Sequence, residues 1–110
     1  MDNPDMPVRS KPTPEGETVD APAEQTAFEP LYRVIIHNDN VTPMNFVVSV
    51  LERIFFLDGS EAVHVMYTAH TGGAAYVQTL PKSEAQNRIS RAHFAAGMEG
   101  YPLRFTMEPE

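Results

Sequence analysis

The side chains that could do chemistry are few, and four of them are consecutive. "HNDN", His37 to Asn40, sits between a β-branched run and a Thr-Pro pair that opens an apolar stretch. His64, His70, Ser60 and Ser83 are the other candidates. Such groups can do acid–base work, ligate a metal, or recognise a ligand rich in hydrogen-bond donors. His37, Asp39 and His70 could exchange protons. No Gly-rich phosphate loop or nucleophile elbow accompanies them, however, and Ser60 and Ser83 stand where helix caps are wanted. No catalytic residue is therefore assigned. His64 and His70 are six apart on a predicted helix, which points them about 120° from one another, so they do not converge on one metal. With no cysteine in the chain a thiolate site is excluded, and neither metal nor cofactor is expected.

Recognition fits the residue types better. A neutral imidazole, an asparagine carbonyl and an aspartate carboxylate all accept hydrogen bonds. Asn38, Asp39 and His70 would therefore suit an ammonium group, which brings three donors and a positive charge. Thr42, Met44, Val47 and Met66 offer an apolar recess beside them. Acceptors flanking such a recess fit a peptide N-terminus with a large hydrophobic first side chain. Each piece has a plainer reading when taken alone. Asn38, Asp39 and Asn40 make an ordinary polar turn. A lone histidine ending an amphipathic helix is more often a core or capping residue, and Met44 and Met66 are more often core filler.

The elements that must position these groups follow from periodicity and breakers. "LYRVII", residues 31 to 36, is β-branched enough to predict a strand. Thr42 is expected as an N-cap with Pro43 at the first helical position. Met44, Val47, Val48, Leu51, Ile54 and Phe55 then recur at helical spacing, and Asp58-Gly59 is expected to end that helix. Ser60 would cap a second helix, with Ala62, Met66, Ala69 and His70 on one face and Gly72-Gly73 as its stop. "AAYVQTL", 74 to 80, reads as a strand. After Pro81, Ser83 and Gln86 have capping-box spacing for a third helix with Ala85, Ile89, Ala92 and Ala96 inside. "PLRFTM", 102 to 107, alternates as a closing strand. The order β-α-α-β-α-β predicts an α+β domain, a small three-stranded antiparallel sheet packed with three helices.

Composition divides the chain in two. Residues 1 to 31 hold six of the ten prolines and seven acids against two bases, which is −5 of the net charge of −7. Such a segment cannot bury enough apolar surface to offset its ordering entropy, so 1–31 is expected to be a disordered acidic tail before a domain at 32–110. The domain's charges nearly balance, which argues against nucleic acid and anionic membranes as partners and is consistent with a monomer. "MDNPDMPVRS" has no apolar secretory core, and no run approaches the roughly 20 apolar residues of a membrane span. A cytoplasmic location is expected, so the glycosylation pattern at Asn40-Val41-Thr42 is discounted.

"YRVIIHNDNVTPMNFVVSVLERIFF", the spacing of Ala62, Met66, Ala69, His70 and Gly73, and "GYPLRFTMEPE" together resemble the ClpS family. ClpS proteins are adaptors that bring N-end-rule substrates to the Clp ATPase and protease of bacteria. The resemblance spans Tyr32 to Glu110 and implies a binding module, not an enzyme. It implies that Asn38, Asp39 and His70 hold the substrate's free α-amine. Thr42, Met44, Val47, Met66, Ala69 and Leu103 would line a pocket for a first residue Leu, Phe, Tyr or Trp. Met44 would be the gate against β-branched first residues, and the tail would serve in handing substrate to an ATPase of ClpA or ClpC type. Two departures stand out. Asn40 replaces a usual carboxylate, and "VQTLPKSEAQNR" replaces a segment resembling "CGVYTREIAETK" that docks on the ATPase. Ser83 occupies the family's acidic docking position, whereas Arg88 keeps a base at the matching lysine position. The rival readings are a stand-alone receptor for N-termini uncoupled from any ATPase, and an interaction domain sharing only the fold, like the C-terminal domain of the ribosomal stalk protein.

Overall fold

The computed structural model describes residues 29–110. The expected tail falls outside the described residues except for Glu29, Pro30 and Leu31. Six elements follow in chain order: β1 Leu31–His37, α1 Met44–Arg53, α2 Gly59–Gly72, β2 Ala74–Pro81, α3 Lys82–Met98 and β3 Arg104–Pro109. The three strands form one antiparallel sheet in the order β2-β1-β3, so the first strand is the central one.

Alternation along β1 decides which face is covered. Val34 and Ile36 are buried, and so are the register partners of Ile36, Phe105 on β3 and Ala75 on β2. The helices pack on that face, where Phe55 stacks on Phe105 with ring centroids 4.8 Å apart. Full burial of a side chain such as Ile36 or Phe55 contributes roughly 1.5–3 kcal/mol. The opposite face of the sheet carries Arg33, ion-paired with its register partner Glu108, and a His37–Thr106 hydrogen bond. A register shift between Val34 and Ile35 marks a bulge against β2.

Helix α3 buries the four positions its periodicity predicts, Ala85, Ile89, Ala92 and Ala96. On α1 the buried set is Val47, Val50 and Leu51, and on α2 it is Ala62, Val65, Met66 and Ala69. The helix ends differ from expectation. Thr42 is not a cap: Pro43 holds that position, and its carbonyl accepts Phe46 and Val47 N–H at 3.1 Å. Helix α1 stops at Arg53 rather than at Asp58-Gly59, because Phe56 turns left-handed with φ 58°. Asp58, not Ser60, caps α2, its Oδ1 accepting Glu61 N–H at 2.8 Å. A carboxylate at a helix N-terminus also complements the dipole, which a hydroxyl does not. Ser83 makes no capping box, since α3 starts one residue earlier, behind Pro81. Its N–H and Oγ instead donate to Glu29 Oε1 and Oε2 at 2.7 and 2.9 Å. Lys82 N–H donates to Pro30 O at 3.0 Å, so Glu29 and Pro30 are bonded to the domain expected to begin at residue 32.

Two histidines lead to an expected acid sensitivity of the fold. Burial first, and the charge of Arg104 second, hold the His93 imidazole below its ordinary range. Its Nε2 accepts Phe105 N–H at 3.0 Å, a bond that protonation would turn into donor against donor. His37 is shifted in the same direction by the same two causes. An imidazole depressed in the folded state takes up protons first in the unfolded chain. Its contribution is complete above an unfolded pKa of about 6.5 and is lost as the pH falls from there through the lower folded value. The Tm is therefore expected to drop on acidification from about pH 7.5 to about 5.5. His93→Gln, whose carbonyl oxygen can accept the same N–H without titrating, is expected to flatten that dependence. An unaltered slope in the variant would exclude His93 as a cause.

Candidate functional site

The loop between β1 and α1 is built by its own aspartate. Asp39 Oδ1 accepts Val41 N–H at 2.8 Å and Thr42 N–H at 2.7 Å, and Oδ2 accepts the Thr42 hydroxyl at 2.9 Å. Burial by itself raises the Asp39 pKa. The bonds from Thr42 and Val41 outweigh it and hold the carboxyl below its ordinary range. Asp39 is therefore ionised at neutral pH and its oxygens are engaged in shaping the turn, with lone pairs of Oδ2 remaining.

A second tie joins this loop to α2. Asn38 N–H donates to Gly73 O at 2.9 Å, and Gly73 N–H donates to Ala69 O at 2.8 Å. Gly73 has φ 94°, a conformation glycine adopts without steric cost and side-chain-bearing residues resist. This C-cap turns the chain back toward Asn38 and so sets His70, three residues earlier, beside the loop. Among the described residues, neither the Asn38 side chain nor the His70 ring takes part in a hydrogen bond within the protein.

These groups surround a recess of about 290 Å³. Its walls contain Asn38, Asp39, Asn40 and His70 together with Thr42, Met44, Val47, Met66, Ala69 and Leu103. Ile36, His37 and Pro43 complete the lining. Ile36 closes the floor from β1, a position that strand alternation next to the polar loop could have indicated. Met44, the first residue of α1, is 40% exposed and stands at the mouth, while Met66, Ala69 and Leu103 are buried. The volume is at the lower end of the roughly 300–1,000 Å³ of small-molecule sites, so it accommodates about one amino-acid residue. Chemically the recess is apolar at depth and lined with acceptors at one side.

Ser83 and Arg88 lie elsewhere, on α3. Arg88 Nε donates to Glu84 Oε2 at 2.7 Å and its Nη1 to Gln78 Oε1 at 3.1 Å. The Glu29 carboxylate bound to Ser83 places an acid beside a position where the chain itself has a hydroxyl.

A family model described as "ATP-dependent Clp protease adaptor protein ClpS" matches residues 27–106. The chain belongs to the ClpS family. It is 44% identical to the adapter protein ClpS 2 of Mesorhizobium japonicum over 86 residues, 78% of this chain and 85% of that one. It is 45% identical to ClpS 1 of Rhodopseudomonas palustris over 80 residues, 73% of this chain and 78% of that one. Among solved structures it is similar to Agrobacterium tumefaciens ClpS2 bound to L-phenylalaninamide, with a TM-score of 0.71 and 37% identity. That match covers 74% of this chain and 98% of the solved ClpS. No helix among the described residues is long and apolar enough to cross a membrane.

Proposed function

We propose that this chain is an adaptor that binds the free N-terminal amine and large hydrophobic first residue of N-degron substrates. It delivers them to a Clp AAA+ ATPase for proteolysis. The observation that carries the reading is a recess in which hydrogen-bond acceptors meet an apolar pocket one residue deep. The ligand of the Agrobacterium relative, L-phenylalaninamide, has that make-up: a free α-amine and one aromatic side chain. Asn38 and His70 accept from the substrate ammonium, and the Asp39 carboxylate supplies the negative field. The first side chain, Leu, Phe, Tyr or Trp, enters between Val47, Met66, Ala69 and Leu103. Asn40 stands at the rim, where the second substrate residue would pass. The adaptor works in the cytoplasm, where its ATPase partner acts.

The direct test is a panel of peptides varied only at the first residue. With Met44 at the mouth, peptides starting with Ile or Val are expected to bind about tenfold or more weakly than those starting with Leu or Phe. Branching at Cβ puts bulk where the Met44 side chain stands. Met44→Ala is expected to narrow that gap to about threefold or less. Equal binding of Leu and Ile peptides to the unmodified chain would count against the recess as the side-chain pocket.

A further inference from the structure

We propose that Phe56, with the Arg88 guanidinium stacked on its ring, is a contact residue for the Clp ATPase. This inference rests on the adaptor reading above and concerns a different surface of the molecule. Phe56 is the one non-glycine residue with positive φ among the described residues, at 58°. Bulky L side chains resist that conformation more than glycine or asparagine do.

The fold explains the turn. Leu57 N–H donates to Leu51 O at 3.1 Å, which returns Leu57 to the core and brings Asp58 round to cap α2. It does not explain an aromatic in the turn, because glycine would make the same turn with less strain. Nor does packing explain it, since Phe56 is 66% exposed.

What surrounds the ring is ordered. The Arg88 Cζ lies 5.0 Å from the ring centroid. Arg88 is fixed in turn by Glu84 and by Gln78 Oε1. Gln78 Nε2 donates to Phe55 O at 3.0 Å, clamping the backbone next to the strained residue. The α1–α2 link, β2 and α3 thus hold an exposed aromatic and a guanidinium in one fixed arrangement. Residues of this kind, rigid before binding, dominate the energetics of protein interfaces.

The occupant follows from what an adaptor must do. It holds substrate and ATPase together, so the ATPase needs a surface that the substrate leaves free. None of Phe56, Gln78, Glu84 and Arg88 lines the recess. Arg88 is the basic position that the family resemblance assigns to docking, and Phe56 continues that surface across the α1–α2 link.

The test uses the full chain, a Phe-initiated fluorescent peptide and the purified Clp ATPase. Phe56→Gly and Phe56→Asn are expected to leave peptide affinity unchanged and the Tm equal or higher, while ATPase affinity falls about tenfold or more. Phe56→Tyr is expected to keep ATPase affinity, and Arg88→Glu to weaken it. If Arg88→Glu weakens the complex and Phe56→Gly does not, the proposal is overturned and the docking face stands. If neither does, docking lies elsewhere and the proposal fails. If the unmodified chain binds the peptide but not the ATPase, the adaptor reading fails with it. A Phe56-dependent dimer in light scattering, with ATPase affinity unaffected, would assign the patch to a second copy of the chain and overturn the proposal.

Discussion

Acetylating the α-amine of a Leu- or Phe-initiated peptide is expected to cut its affinity for this chain by about 100-fold or more, with the first side chain intact. A free α-ammonium, with a pKa of about 7.7–8.0, is mostly charged at neutral pH and offers only donors. Around the recess stand the Asn38 side chain and the His70 ring, neither bonded within the described protein, and the ionised Asp39. Acetylation removes the charge and two of the three donors. It also adds a carbonyl, an acceptor, to a site lined with acceptors. Groups that lose water on binding and gain no partner then oppose the complex. Fluorescence anisotropy with matched free and acetylated peptides measures the ratio. If the two bind alike, the loop is only a turn and the recess is not an amine site.

The second large effect is expected at Asp39. Asp39→Ala removes the acceptor for Val41 N–H, Thr42 N–H and the Thr42 hydroxyl together. The loop that carries Asn38 and introduces α1 then loses its internal frame, and the recess loses its negative charge. Peptide affinity is expected to fall by about 100-fold or more, with a lower Tm. Asp39→Asn separates the two contributions. Its carbonyl oxygen can still accept the two backbone N–H groups, so the Tm is expected to fall less, while the lost charge still weakens peptide binding. The acid limb gives an independent reading. A carboxyl whose folded pKa is depressed contributes fully above its unfolded value, about 3.9, and loses that contribution as the pH falls through the folded value. Asp39→Ala is expected to unfold with less pH dependence below about pH 4. A variant that binds peptide as tightly as the unmodified chain would disprove the assignment.

The legible parts of this fold are those set by periodicity. Ala85, Ile89, Ala92 and Ala96 were readable because one helix face repeats at fixed spacing, whatever it packs against. Most of the lining of the recess was readable for a related reason: its residues cluster in two short segments, 36–47 and 66–70, with Leu103 as the one distant member. Helix ends were less readable, because several residues compete for each cap. Asp58 was read as a stop for α1 and proved to be the start of α2. The left-handed turn at Phe56 carries no glycine signal and is held by Gln78, more than twenty residues away in sequence. Nor does local pattern predict that Glu29 would occupy the amide of Ser83, 54 residues on. The use of Asp39 as a frame for its own loop was open to inspection, since an Asp three residues before a Thr is a common turn arrangement.

The position of β1 has a mechanical consequence. It is the first strand among the described residues yet the middle one of the sheet, bonded to β2 on one edge and to β3 on the other. A force applied to the chain on the N-terminal side of Leu31 would run along β1. Inter-strand bonds in an antiparallel sheet lie perpendicular to the strands, so both ladders would bear such a force at once, in shear, and could not open one bond at a time. A strand at the sheet's edge, pulled across its length, would peel away. A pull directed along β1 is thus expected to leave the recess, at the far end of the same strand, in shape.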